Sequence, residues 1–183
     1  KKVGRTAFAG PRAADMGVNT AVMRQAVVMQ MTWVGAPTLY YGDEAGVCGW
    51  TDPDNRRSYP WGREDNELIR FHKEMIRIHR DYQVFKTRSM LYLPGENGLI
   101  VYGRFQGEEK AVIAVQTGGT QREIQVDVWR LGLKDGEKIA SMMATDQQGF
   151  SLEARVLTVK DGKVSISVGE NGAVLYKSIR NLI

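Results

Sequence analysis

The sequence predicts two architectures in one chain: an α/β layer over residues 1–87, then an all-β antiparallel sandwich over 88–183. Three observations carry this reading. The hydrophobic period changes near residue 87, from three- and four-residue spacing to strict alternation, and these are the periods of a helix and of a half-buried strand. The first part reads helix, strand, loop, helix, which is the order of an α/β layer. The second part holds a regular series of short alternating runs separated by turn residues, which suggests a sandwich.

In chain order, residues 1–19 carry Gly4, Gly10, Pro11 and Gly17 and read as an irregular lead-in. Asn19 or Thr20 can cap a helix running to about Val34. Its apolar residues, among them Val22, Met23, Val27, Met29 and Met31, cover more than one face, so the helix is expected to be well buried. The methionines fit core packing better than a cofactor box. Gly35 stands where a left-handed C-cap belongs. Residues 36–41, Ala-Pro-Thr-Leu-Tyr-Tyr, fit a short buried strand with proline at its start. Residues 42–63 hold four glycines and two prolines and read as a long loop. Loops of this length are usually functional or disordered, and Trp50, Tyr59 and Trp61 argue against disorder. A second helix is expected from Asp65 to Tyr82, with Leu68, Phe71, His72, Met75 and His79 on its apolar spacing.

Strands are expected at 89–94, 98–105, 110–116, 122–129, 137–143, 151–159, 163–168 and 172–178. Asp161-Gly162 and Asn171-Gly172 are strong hairpin signals. The sandwich is long enough to fold alone. The 1–87 part contains a single strand, and one strand is not a sheet, so its partners must come from elsewhere. Its apolar surface is expected to seek cover by self-association or by packing on the sandwich.

Composition excludes several classes. Of the 183 residues, 43% are hydrophobic and 25% charged, enough apolar side chain for a core. No apolar run reaches about 18 residues, so no membrane-spanning helix is expected. The single Cys48 excludes an intrachain disulfide and any multi-cysteine metal site. The net charge of +4 is dispersed, and Arg56-Arg57, Arg77 and Arg80 form no long basic run, so nucleic acid is not an expected partner. The N-terminus lacks both an apolar signal core and an initiating Met, which fits a chain that begins inside a longer protein.

Val34-Gly35-Ala36-Pro37-Thr38-Leu39-Tyr40-Tyr41-Gly42-Asp43-Glu44-Ala45-Gly46, then Asp52-Pro53-Asp54-Asn55-Arg56-Arg57 and Pro60-Trp61, resemble the α-amylase superfamily of glycoside hydrolases (family 13), most closely its neopullulanase and cyclomaltodextrinase branch. Residues 66–73, Gly98–Tyr102 and Ala111–Val115 also look like family segments, so the resemblance spans about residues 20–178. It implies the last part of a (β/α)8 barrel, one strand and two helices, followed by the family's C-terminal β-domain. Helix 20–34 would be the seventh helix, 36–41 the eighth strand, 42–63 the loop after it and 65–82 the eighth helix. Active sites of such barrels lie on the loops at the C-terminal ends of the strands, which puts loop 42–63 on that face.

The resemblance also shows what this chain lacks. Retaining glycosidases act through two carboxylates that flank the scissile bond, and in the family these stand on strands 4 and 5, with a third carboxylate on strand 7. None of those strands is in this sequence, so no catalytic residue is assigned. No cofactor and no metal are expected. Asp52 and Arg56 resemble a family pair that binds sugar away from the cleavage point: a carboxylate accepts from hydroxyls, and a guanidinium offers several donors in a fixed fork. The alternative is a salt bridge that only fixes the loop. Trp50, Tyr59 and Trp61 are stacking candidates, or they pack the loop down, the favoured reading for Trp61. Asp43-Glu44 are better read as a backbone anchor than as paired acids. His72 and His79 are better read as buried, hydrogen-bonded histidines than as zinc ligands.

Three functions follow as expectations. The first is the C-terminal portion of an α-glucan hydrolase or transglycosylase, whose partner is an α-linked oligosaccharide. The second is a non-catalytic glycan-binding sandwich, for which Tyr92, Tyr102, Phe105, Trp129, Phe150 and Tyr176 are the available aromatics. The third is a structural role, in which the sandwich covers and stabilises the barrel.

Overall fold

The computed structural model describes residues 14–179. The predicted lead-in over 1–19 therefore lies mostly outside the described residues. Helix α1 spans Thr20–Thr32 and α2 spans Asn66–Asp81. The strands are β1 (Met90–Leu93), β2 (Leu99–Gln106), β3 (Glu109–Gln116), β4 (Arg122–Asp127), β5 (Lys138–Thr145), β6 (Phe150–Ser151), β7 (Val156–Thr158), β8 (Lys163–Val168) and β9 (Ala173–Ile179).

α1 begins after its expected cap Asn19, and α2 begins one residue after its expected start, with Asp65 as its cap. Asn19 accepts from the Ala21 amide at 3.0 Å, and Asp65 accepts from the Leu68 amide at 2.9 Å. Each satisfies an amide that a helix start otherwise leaves without a partner. α1 stops at Thr32, earlier than expected, because Trp33 turns to an extended conformation. Gly35 therefore lies beyond the helix end and does not cap it.

The sandwich has two unequal sheets, and every strand pair in them is antiparallel. The seven-stranded sheet runs β1-β2-β3-β9-β5-β6, with β7 also paired to β5, and the second sheet is the pair β4-β8. The run expected at 151–159 is broken into β6 and β7. The two turn signals behave differently. Asp161 and Gly162 both take positive φ, at 51° and 71°, and Lys160 and Lys163 exchange backbone hydrogen bonds across them. Asn171-Gly172 is not a hairpin: it carries the chain from β8 in one sheet to β9 in the other. Glycine is needed there because a Cβ on Gly172 would lie 2.2 Å from the Thr145 carbonyl oxygen.

The large sheet is buried on both faces. On one face Val101, Val112, Ala114 and Val174 pack against Ile124, Val126, Val164 and Ile166 of the small sheet. On the other, Tyr102, Ile113, Val115 and Leu175 pack against Val27, Val28, Met31, Phe71 and Met75 of the helices. Burial on both sides explains why 111–115 reads as an unbroken apolar run instead of an alternating one. The result is three layers, with the helices taking their cover from the sandwich.

Two polar tethers fix that cover. Gln25 of α1 donates to the backbone carbonyls of Gln116 and Gly172. Arg104, fully buried, donates to the carbonyls of Thr32, Thr87 and Ser89. A buried guanidinium is tolerated only when its donors are satisfied, and burial pulls the Arg104 pKa below its ordinary value. His72 is buried, with Nδ1 2.9 Å from the Leu68 carbonyl oxygen, and His79 Nδ1 is 2.7 Å from that of Met31. Both contact a backbone carbonyl, as expected, but His79 is only partly buried.

One predicted element is absent: residues 36–41 form no strand. A strand needs a neighbour for its amides and carbonyls, and the described residues offer none. Leu39, Tyr40 and Tyr41 are instead 37%, 45% and 49% exposed. The described fold is thus a helical layer on a sandwich, with no barrel wall.

Candidate functional site

Loop 42–63 is a closed, internally bonded structure. It opens with a 3-10 turn over Asp43–Ala45, and the Glu44 carboxylate accepts from the Gly42 amide at 3.0 Å, the anchoring role expected of it. Its base is closed where the Asp65 amide donates to the Ala45 carbonyl at 3.2 Å. Burial pushes the Asp43 carboxyl above its ordinary value, and the neighbouring Glu44 charge adds to this. Burial likewise raises the Cys48 thiol.

Above this base the chain folds back on itself. Asp54 donates its amide to Thr51 at 2.9 Å, and Arg56 donates its amide to Pro53 at 3.1 Å. The Arg57 guanidinium donates to the Asp54 carbonyl at 3.2 Å, and the Tyr41 hydroxyl donates to the Arg57 carbonyl at 2.9 Å. The doubled-back segment is tight: a Cβ on Gly49 would stand 2.7 Å from the Asn55 Cα.

The turn presents Asp52 and Arg56 together. Arg56 Nε donates to Asp52 Oδ1 at 2.7 Å, and the side chains are 66% and 61% exposed. Asp52 Oδ2 and the terminal guanidinium nitrogens have no further hydrogen bond among the described residues. Trp50 is half-buried in the loop. Tyr59 and Trp61 pack ring to ring at 4.5 Å, yet Trp61 is 80% exposed, so it does not pin the loop down as expected.

Tyr40 is the residue that sequence reasoning missed. Its phenol lies above the ordinary range through partial burial and the neighbouring Tyr41, and it lies within electrostatic reach of Arg56 and Asp52. Assigning 36–41 to a buried strand hid it. Beneath the loop, a cleft of about 540 Å³ lies against the start of α1, lined by Val18, Met23, Asp43, Val47, Cys48 and Leu68.

The aromatics proposed for a glycan-binding sandwich are not gathered into a platform. Tyr102 and Tyr176 are buried. The Arg70 guanidinium lies 5.0 Å from the centre of the Phe150 ring. Tyr92 and Trp129 are exposed on different elements.

No family model matches the chain. It is 34% identical over 175 residues to an amylopullulanase of Thermoanaerobacter thermohydrosulfuricus, a match covering 89% of this chain and 11% of that protein. It is 49% identical over 67 residues to neopullulanase 2 of Thermoactinomyces vulgaris, covering 35% of this chain and 12% of that one. Among solved structures, the α-amylase of Geobacillus thermoleovorans complexed with acarbose superposes with a TM-score of 0.76 at 20% identity, over 94% of this chain and 37% of the other. The Nostoc punctiforme debranching enzyme gives 0.70 at 24% identity, over 86% and 31%. The chain spans about a tenth of the length of the amylopullulanases it matches. The solved structures show a shared fold, and on its sequence matches the chain belongs to the α-amylase superfamily of glycoside hydrolases and corresponds to a portion of those longer enzymes.

Proposed function

We propose that this chain is the C-terminal portion of an α-glucan-acting glycoside hydrolase, supplying a substrate-side loop and a stabilising β-domain. Catalysis belongs to the remainder of the longer enzyme. In that enzyme residues 1–87 are the closing segment of the barrel and 88–183 the domain behind it. The exposed Leu39, Tyr40 and Tyr41 would there be covered by the preceding barrel elements.

The observation that carries the loop's role is the state of the Asp52–Arg56 pair. It is joined by one hydrogen bond at 2.7 Å on an exposed turn, which leaves further carboxylate and guanidinium positions open. A pair that served only to lock the loop would gain from using more of its hydrogen-bonding capacity. Adjacent sugar hydroxyls, each donor and acceptor, match such an acceptor–donor pair. Trp50, two residues before Asp52, is the aromatic candidate for stacking on a ring.

The test is Asp52→Ala in the longer enzyme, with steady-state kinetics on maltotriose and maltohexaose. A remote binding pair predicts a KM increase that is larger for maltohexaose. Equal effects on both substrates would reduce the pair to a loop brace.

A further inference from the structure

The Asp52–Arg56 pair does not hold itself in place. One hydrogen bond between side chains that are 66% and 61% exposed contributes little in water. What sets their separation is the backbone of residues 51–57, and Arg56 is caught between two fixed points of it. Before it, its own amide donates to the Pro53 carbonyl at 3.1 Å. After it, the Arg57 carbonyl accepts from the Tyr41 hydroxyl at 2.9 Å. The first bond is internal to the turn and sets only its shape. The second reaches 16 residues back along the chain and sets where the turn stands.

The Tyr41 end of this link is itself anchored. The next residue, Gly42, gives its amide to the Glu44 carboxylate at 3.0 Å, and its carbonyl accepts from the Val47 amide at 2.9 Å. On the other side, the Tyr40 carbonyl accepts from the Asp43 amide at 3.1 Å. Gly42 has φ of 90°, and a Cβ on it would lie 2.7 Å from Val47 Cγ2, so the loop base is close-packed as well as bonded. The Asp65 amide joins that base to the start of α2 through the Ala45 carbonyl. The Tyr40 ring, with its centre 4.9 Å from that of Tyr41, flanks the phenol. A tyrosine crosses from base to turn with only two side-chain torsions, so it is ordered at low entropic cost. Its hydrogen bond goes to the backbone of the turn and not to the charged groups of the pair.

We infer that Tyr41 is a positioning residue for the Asp52–Arg56 pair: its hydroxyl holds the Arg57 carbonyl, and through it sets the Arg56 guanidinium beside Asp52, where the two can meet adjacent sugar hydroxyls. This rests on the proposed reading of the pair as a sugar-binding site, and it adds a residue that acts on the sugar only through the turn.

Tyr41→Phe keeps the ring and removes the link. The test is steady-state kinetics of the longer enzyme on maltotriose and maltohexaose, for the parent, Tyr41→Phe, Asp52→Ala and the double variant. Tyr41→Phe is expected to raise KM for maltohexaose about two- to tenfold, the range for one neutral hydrogen bond, with a smaller rise for maltotriose and the effect on KM and not on kcat. In the Asp52→Ala background the same substitution is expected to add nothing, because the pair it positions is already broken. A general structural loss would instead move both substrates equally or persist in that background, and either result overturns the inference. The two readings fail separately. If Asp52→Ala acts more strongly on maltohexaose and Tyr41→Phe does not, the positioning role falls and the sugar site stands. If Asp52→Ala acts equally on both substrates, the sugar site falls and the positioning role falls with it.

Discussion

The hydroxyls of Thr32 and Tyr102 lie 2.6 Å apart, and both residues are completely buried. Thr32 ends α1 and Tyr102 stands in β2, so this contact joins the helical layer to the sandwich across 70 residues of chain. Thr32 also shares its hydroxyl with the Val28 carbonyl at 2.7 Å, and its own carbonyl accepts from Arg104. The ring of Trp33 meets that of Tyr102 edge-on at 5.1 Å. One turn of helix is therefore held by a hydroxyl pair, a guanidinium and an aromatic contact at once.

Thr32→Val removes one hydroxyl and leaves the Tyr102 hydroxyl buried without that partner. A stranded buried polar group costs about 1–3 kcal/mol. Urea unfolding should show that loss in midpoint. Tyr102→Phe in the Thr32→Val background should cost less than in the parent, because the partners share one interaction. Additive losses would show that the contact contributes nothing of its own.

Burial raises the Tyr102 phenol from 10.0 to about 12, against a smaller opposing effect of the Thr32 hydrogen bond. The sign follows from which state ionises first. In the unfolded chain the phenol gives up its proton near pH 10, while the folded chain holds it until about pH 12. The stability due to neutral Tyr102 is thus complete below pH 10 and is lost as pH rises toward 12. Two units correspond to roughly 2–3 kcal/mol. Urea midpoints measured from pH 9 to 12 should fall less steeply in Tyr102→Phe than in the parent. Parallel slopes would refute the assignment to Tyr102.

The sequence made the sandwich legible because its strands obey local rules: alternation over 122–127 and 138–145, and a two-residue turn at Asp161-Gly162. It failed where partners decide. Residues 36–41 have the composition of a strand, yet the described residues offer no edge for them to pair with. Asn171-Gly172 has the composition of a hairpin, but its glycine answers a close approach of backbone to Thr145. For the loop, the glycines, prolines and the Asp52–Arg56 spacing were readable in advance. Tyr40 joined them only through the failure of the strand.

Gly103 offers the sharpest packing test. It lies on β2 opposite Val112, and a Cβ built on it would stand 2.3 Å from one Leu131 methyl and 2.5 Å from the other. Leu131 is itself buried in the core between the sheets, so it has little room to retreat. Gly103→Ala should therefore destabilise by about 1–3 kcal/mol, the usual cost of overpacking, despite alanine's advantage over glycine in chain entropy. Leu131→Ala alone should cost about 2–5 kcal/mol as a cavity. Combining the two places the new methyl in the space the leucine leaves, so the double variant should be more stable than the sum of the single losses allows. Chemical denaturation of the four proteins gives the coupling directly. A double variant no better than additive would mean that Leu131 moves aside freely, and that glycine at 103 serves some need other than room for Leu131.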